Sequence, residues 1–172
     1  MPLRSALVLA SSGERDQALE RLAAKFDEAG VPVERVARPR LAALSSHGAH
    51  QGVMVRTRPF VYATLTDVIT AAGSSDALVI VLDHVTDQGN FGAIVRTAEV
   101  VGAAGVVVAK ARSASVGIGA YKTSAGAVMH LPIAQVSNLA RALDELKGAG
   151  FWSCAATEHA REDAWHAPLD GR

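Results

Sequence analysis

The sequence is poor in several things, and each shortage closes off a class of function. A single cysteine, Cys154, stands in 172 residues, so neither an internal disulfide nor a cysteine-rich zinc site is available. Six histidines show no compact ligand spacing and no His-Glu-x-x-His, so no metal is expected. No apolar run approaches the ~20 residues of a membrane helix. Met1-Pro2-Leu3-Arg4-Ser5 leads into an apolar stretch that Ser12-Gly13-Glu14-Arg15 soon breaks, which is not a signal-peptide layout. A cytoplasmic protein with no membrane partner is the expectation. Charge of one sign is also lacking, since 17 Lys and Arg balance 17 Asp and Glu. Any nucleic acid must therefore be met by a local basic patch. Aromatic residues make up 5%, and no stacking platform for single strands stands out.

Familiar catalytic motifs are missing as well. Lys122-Thr123 follows Tyr121 where a phosphate-binding loop needs glycine. Gly117-x-Gly119 has Lys122 at the third glycine place of a dinucleotide fingerprint. No Gly-x-Ser-x-Gly elbow occurs.

What is present is a core-forming composition, 49% hydrophobic, with strands and helices in alternation. The first part reads as strand 6–10, helix 16–29 ending at Gly30, strand 31–36, a helical turn 41–44 and strand 51–57. Helix 64–72 leads into Gly73-Ser74-Ser75-Asp76, the best linker. We therefore expect domains at 1–72 and 73–172. The second reads as strand 77–82, helix 90–101, strand 105–109, a Gly/Ser/Ala-rich segment 113–127, an apolar stretch around Leu131-Pro132-Ile133, helix 138–147 capped by Ser137, and a strand near 151–155. Such alternation predicts an α/β fold with a parallel sheet. Trp152 and Trp165 are expected in the core and at its margin.

The densest information lies between Leu82 and Gly102. There a buried-looking strand empties into a loop rich in Asp, Asn and Gly, and a helix starts at once. Polar residues at that junction mark the ligand side of a parallel sheet. Asn90 reads as a helix cap or a ligand contact. Arg96, six residues on and so close to two turns away, is expected to face the same cleft. A permanently charged, bidentate donor there suits a phosphate. Asp83 and Asp87 are loop formers or site residues with equal standing.

The run Asp83-x-Val85-x-Asp87-x-x-Asn90-x-Gly92-Ala93-Ile94-x-Arg96-Thr97-Ala98, with Gly102 after it, resembles the first signature of the SpoU/TrmH branch of SPOUT RNA methyltransferases. His50-Gln51-Gly52-Val53 is similar to the end of the small RNA-binding domain that precedes many of them. Lys110-x-Arg112-Ser113-Ala114, Lys122-x-Ser124-Ala125-Gly126-Ala127 and Ser137-Asn138-Leu139 match as well, and the likeness runs from about Val31 to Arg172. Gln88 departs from it, standing where the family usually has proline.

The resemblance implies 2′-O-ribose methylation of RNA with S-adenosylmethionine, on 23S ribosomal RNA first and transfer RNA as the alternative, by a homodimer. It implies an RNA substrate-binding domain at 1–72 and a SPOUT (α/β knot) methyltransferase domain at 73–172. It gives catalytic roles to Arg96 and Asn90. A permanently charged arginine suits orientation and charge stabilisation better than proton abstraction.

Lys110 and Arg112 are read as grips on RNA phosphates or as a solvated pair. Arg35, Arg38, Arg40, Arg56 and Arg58 form the most basic neighbourhood of the first domain, a phosphate-binding face or scattered surface charge. His50 is read as holding a turn, and Ser124, Gly126 and Ala127 as tight packing. Family members continue into a Gly-x-Glu-Gly-like loop and a Ser-Leu-Asn-Val-Ser segment, which tie the knot and hold most cofactor contacts. Neither motif occurs here, so the expectation is a domain without its knot segment and with no assignable cofactor residues. The RNA-binding domain is likewise expected to lack a first helix. A non-catalytic RNA-binding remnant is the alternative.

Overall fold

A computed structural model describes residues 3–10, 14–45, 50–73, 76–163 and 166. The chain forms two compact units, Met1–Phe60 and Val61–Arg172.

In the first unit, strand β1 (Leu3–Leu9) is followed by helix α1 (Glu14–Glu28), strand β2 (Val33–Val36), helix α2 (Arg38–Leu44) and strand β3 (Val53–Thr57). The sheet order is β2-β1-β3. β2 runs parallel to β1, whereas β3 returns antiparallel, so this sheet is mixed. β1 is central and its run Ala6-Leu7-Val8-Leu9 is buried, because both of its faces are covered. On one face Leu7 and Leu9 pack with Val36, Leu41, Leu19 and Met54. His50 does hold the turn into β3: its Nδ1 accepts the Gly52 N–H at 3.0 Å. Gly52 has φ +86°, and a Cβ there would meet Leu19 Cδ1 at 2.8 Å, so only glycine fits.

The second unit begins with helix α3 (Leu65–Ala72) and continues through strand β4 (Val79–Leu82), helix α4 (Gln88–Val100), strand β5 (Gly105–Ala109), helix α5 (Ile118–Thr123), a 3₁₀ turn (Ala127–Met129), strand β6 (Ile133–Val136) and helix α6 (Leu139–Gly148). Its sheet, in the order β4-β5-β6, is parallel throughout, as the alternation predicts. Val68 of α3 and Ala142 of α6 pack with Val107 of β5 and Ala134 of β6. Successive strand residues face opposite sides, so buried Val106 and Val108 turn to the other face. On α4, Phe91, Val95 and Ala98 are buried.

Helix α3 belongs to this second unit, which moves the boundary from 72/73 to Phe60/Val61. The reason is packing. Ala63 joins the outer edge of β6, donating its N–H to Ile133 O at 2.9 Å. A capping box then starts α3: Thr64 Oγ1 accepts the Asp67 N–H (3.1 Å) and Asp67 Oδ2 accepts the Thr64 N–H (2.7 Å). These bonds hold the Asp67 carboxyl below its ordinary range.

Other expectations are corrected. No strand forms at 151–155. Phe151 tucks against Ala72 and Leu146, but Trp152 is 88% exposed instead of buried. Trp165 lies outside the described residues. Asn138, not Ser137, caps α6, accepting the Arg141 N–H at 2.9 Å. The Gly/Ser/Ala-rich segment holds α5 and the 3₁₀ turn, whose Ala120, Ser124, Ala127 and Val128 are buried.

Candidate nucleic-acid and ribose site

The carboxyl edge of the parallel sheet is formed by the residues that follow β4, β5 and β6. After β4, His84 takes a left-handed φ of +56° and its Nδ1 lies 2.6 Å from Asp83 Oδ1. Asp87 caps α4 by accepting the Asn90 N–H on Oδ1 at 2.7 Å. The cap is therefore Asp87 and not Asn90, and it leaves the exposed Asn90 carboxamide available.

Arg96 is exposed. It lines an apolar groove of about 450 Å³ with Leu78, Ile80, Ala93, Ile94 and Val101. Among the described residues its guanidinium has no ion-pair partner. Asn90 does not line this groove. Six residues at 3.6 per turn bring two side chains about 120° apart around the axis and about 9 Å along it. The expected shared cleft is therefore corrected: Arg96 faces its groove, and Asn90 sits a third of a turn round at the carboxyl edge.

The loop after β5 is held by backbone bonds to both neighbouring strand ends. Lys110 donates its N–H to Val136 O at 2.7 Å, and Ala114 donates to Val85 O at 2.7 Å. Arg112 adopts φ +56° between them. Both cationic side chains are exposed and unpaired among the described residues. Ser113 Oγ is buried with no hydrogen-bond partner among the described residues. Tyr62 OH accepts the Val116 N–H at 2.9 Å, and burial pushes the Tyr121 hydroxyl of α5 up.

The basic neighbourhood of the first unit divides. Arg35 pairs with Glu20, which raises the guanidinium pKa further, and Arg40 pairs with Glu34 at 2.9 Å. Arg38, Arg56 and Arg58 are exposed and carry no ion pair among the described residues. Sequence reading missed Arg4, which falls at the register shift between Leu3 and Ser5, next to Arg56 in the pairing. It was invisible because the strand was read as starting at residue 6. Among the described residues no group of His, Cys, Asp or Glu is arranged to hold a metal, and no helix is long and apolar enough to cross a membrane.

A mixed-sheet unit is thus followed in the chain by a parallel-sheet unit with Lys110 and Arg112 exposed beyond the carboxyl edge of its sheet. Solved structures share this fold. An RNA 2′-O ribose methyltransferase matches 96% of this chain and 60% of its own, at 24% identity and a TM-score of 0.67. An AdoMet-bound rRNA methyltransferase from Sinorhizobium meliloti matches 86% of this chain and 51% of its own, at 22% identity and a TM-score of 0.63.

Residues 77–169 match the SpoU rRNA Methylase family, and residues 5–63 match the RNA 2′-O ribose methyltransferase substrate-binding family. The chain belongs to the SpoU rRNA methylase family. Among its relatives is a 23S rRNA (guanosine-2′-O-)-methyltransferase, RlmB, from Photobacterium profundum, 31% identical over 99% of this chain and 70% of that protein. An uncharacterized tRNA/rRNA methyltransferase of Mycobacterium avium is 36% identical over 86% of this chain and 48% of its own length. The chain spans about half the length of several relatives it matches.

Proposed function

We propose that this chain carries the RNA-binding and ribose-positioning part of an S-adenosylmethionine-dependent RNA 2′-O-ribose methyltransferase, with 23S ribosomal RNA as substrate. The observation that carries the reading is the exposed Arg96, without an ion pair among the described residues, on the helix that starts at the carboxyl edge of the parallel sheet and within the residues that match the SpoU family. Lys110 and Arg112 grip phosphates of the target strand, and Arg38, Arg56 and Arg58 of the first unit meet RNA backbone elsewhere. Arg96 stabilises negative charge developing around the reacting ribose. Asn90, released from capping by Asp87, hydrogen-bonds the target strand at the carboxyl edge. Paired with Glu34, Arg40 contributes least. Exposed Leu78, Val100 and Val101 beside the outer strand β4 support a homodimeric enzyme.

S-adenosylmethionine supplies the methyl group when bound. The groove beside Arg96 is apolar and offers little to an adenine edge. A second cavity of about 430 Å³, near Asp76, Glu99 and His130, lies at the amino edge of the sheet. Every role assigned above is accordingly on the RNA side. These RNA-side roles are equally those of a second reading, a non-catalytic RNA-binding module.

Two measurements separate the readings. One incubates the chain with ribosomal RNA and labelled S-adenosylmethionine and maps bonds that become resistant to alkali, as a 2′-O-methyl makes them. The other is calorimetry with S-adenosylmethionine alone. Alkali-resistant bonds together with micromolar cofactor binding support the enzyme. RNA binding without either supports the module, and failure to bind RNA overturns both.

A further inference from the structure

We propose that Gln88 is a positioning residue that locks the loop carrying Lys110 and Arg112 to the start of α4; the proposal rests on the RNA reading above. Gln88 is the first residue of α4, directly after the Asp87 cap. Its Oε1 accepts the backbone N–H of Gly119, in the first turn of α5, at 3.1 Å. The side chain lies across the entrance to α5. A Cβ on Gly117 would stand 2.5 Å from Gln88 Nε2 and 2.6 Å from Oε1, and a Cβ on Gly119 would stand 2.9 Å from Gln88 Cβ. Gly117 has φ −116°, a conformation open to any residue. Backbone strain therefore does not require glycine there; the glutamine fills the space a side chain would need.

The rest of the loop is pinned by Val136, Val85 and Tyr62. Gln88 adds a side-chain tie from the start of α4 to the first turn of α5, where Gly92 and Ala120 already bring the two helices close. The carboxamide thereby helps fix how the phosphate-gripping cations sit relative to the helix bearing Asn90 and Arg96, and an RNA strand touching both meets that spacing.

The test uses the full chain and three variants. Gln88→Pro suits the first helical position, and Asp87, at φ −83° and ψ 127°, already has the conformation that precedes proline. Gln88→Met keeps length and loses the acceptor, whereas Gln88→Glu keeps an acceptor oxygen. Hydrogen exchange is expected to be about five- to tenfold faster at the Gly119 amide in the Pro and Met variants, the protection of one ordinary hydrogen bond, and near wild type in the Glu variant. Exchange in β5 stays unchanged. Affinity for a ribosomal RNA fragment falls severalfold in the Pro and Met variants and recovers in Glu. Unchanged Gly119 exchange in the Met variant overturns the tether. Released exchange with unchanged RNA affinity overturns its role. A wild-type chain that binds no RNA removes the RNA reading, while the exchange arm still reports the tether by itself.

Discussion

A methyl group on Gly92 would lie 2.1 Å from Thr123 Oγ1 and 2.7 Å from the Ala120 carbonyl oxygen. Helices α4 and α5 therefore touch backbone to backbone at this point. Gly92→Ala gains about 1 kcal/mol of helix propensity but must push the two helices apart, at an overpacking cost of about 1–3 kcal/mol. A lower melting temperature is expected. Adding Thr123→Ala recovers only part of it, because the Ala120 carbonyl remains in the way. Full recovery in the double variant would show that the side chain alone sets the spacing.

Arg96 makes the opposite kind of prediction. An exposed guanidinium without an ion pair among the described residues contributes little to folding. Arg96→Ala should change stability by less than about 0.5 kcal/mol. If Arg96 stabilises developing charge, methyl transfer by an active form should drop about 100-fold or more. Arg96→Lys keeps the charge but loses the planar fork, so it should restore only part of the rate. Equal activity of the wild type and Arg96→Ala would remove this residue from the chemistry.

Exposed Trp152 gives a direct optical check of the segment after α6. A tryptophan 88% exposed is expected to emit at long wavelength and to be quenched efficiently by iodide. Trp165→Phe isolates its signal from the other tryptophan. A blue-shifted, protected emission would mean that Trp152 is covered in solution. Trp152→Ala should leave stability within about 0.5 kcal/mol of wild type.

Trp152 also shows where sequence reading stops. The pattern Phe151-Trp152-Ser153-Cys154-Ala155 carries β-favouring residues, but propensity is a preference for a half-buried pleated surface. Only Phe151 finds such a surface, against α6 and α3. The strands and helices with strong periodicity were legible to within a few residues, because burial imposes that periodicity. Caps were harder. Asp87 and Asn90 are both good cap residues three apart, and composition alone cannot choose between them. The supposed shared face of Asn90 and Arg96 failed on arithmetic, since 1.7 turns is not two. Arg40 and Arg56 looked alike in the sequence, and only the fold places a glutamate beside one of them.

The capping box of α3 gives a pH dependence with a definite sign. Asp67 accepts from the Thr64 N–H and hydroxyl, which favours its charged form and lowers its pKa from the ordinary 3.8. A carboxylate with a depressed folded pKa contributes stability that is fully present above its unfolded value and is lost as pH falls through the folded value. Asp67→Asn should therefore lower the melting temperature at neutral pH. The gap between variant and wild type should close below pH 3.8. A gap that stays constant into that range would mean that the carboxylate charge plays no part.

The arginines of the first unit can be ranked by salt dependence. Each phosphate contact contributes about 0.7 (single strand) to 0.9 (duplex) to the slope of log affinity against log salt. Arg38, Arg56 and Arg58 have no carboxylate partner among the described residues, whereas Arg40 is held by Glu34 at 2.9 Å. If the free guanidinia meet RNA backbone, replacing any one by alanine should lower the slope by about that increment. Arg40→Ala should change it least, because its charge is already offset. Glu34→Gln frees Arg40 and should steepen the slope, a gain that simple loss of folding cannot mimic. Identical slopes for the wild type and all five variants would place the RNA-binding surface outside this neighbourhood.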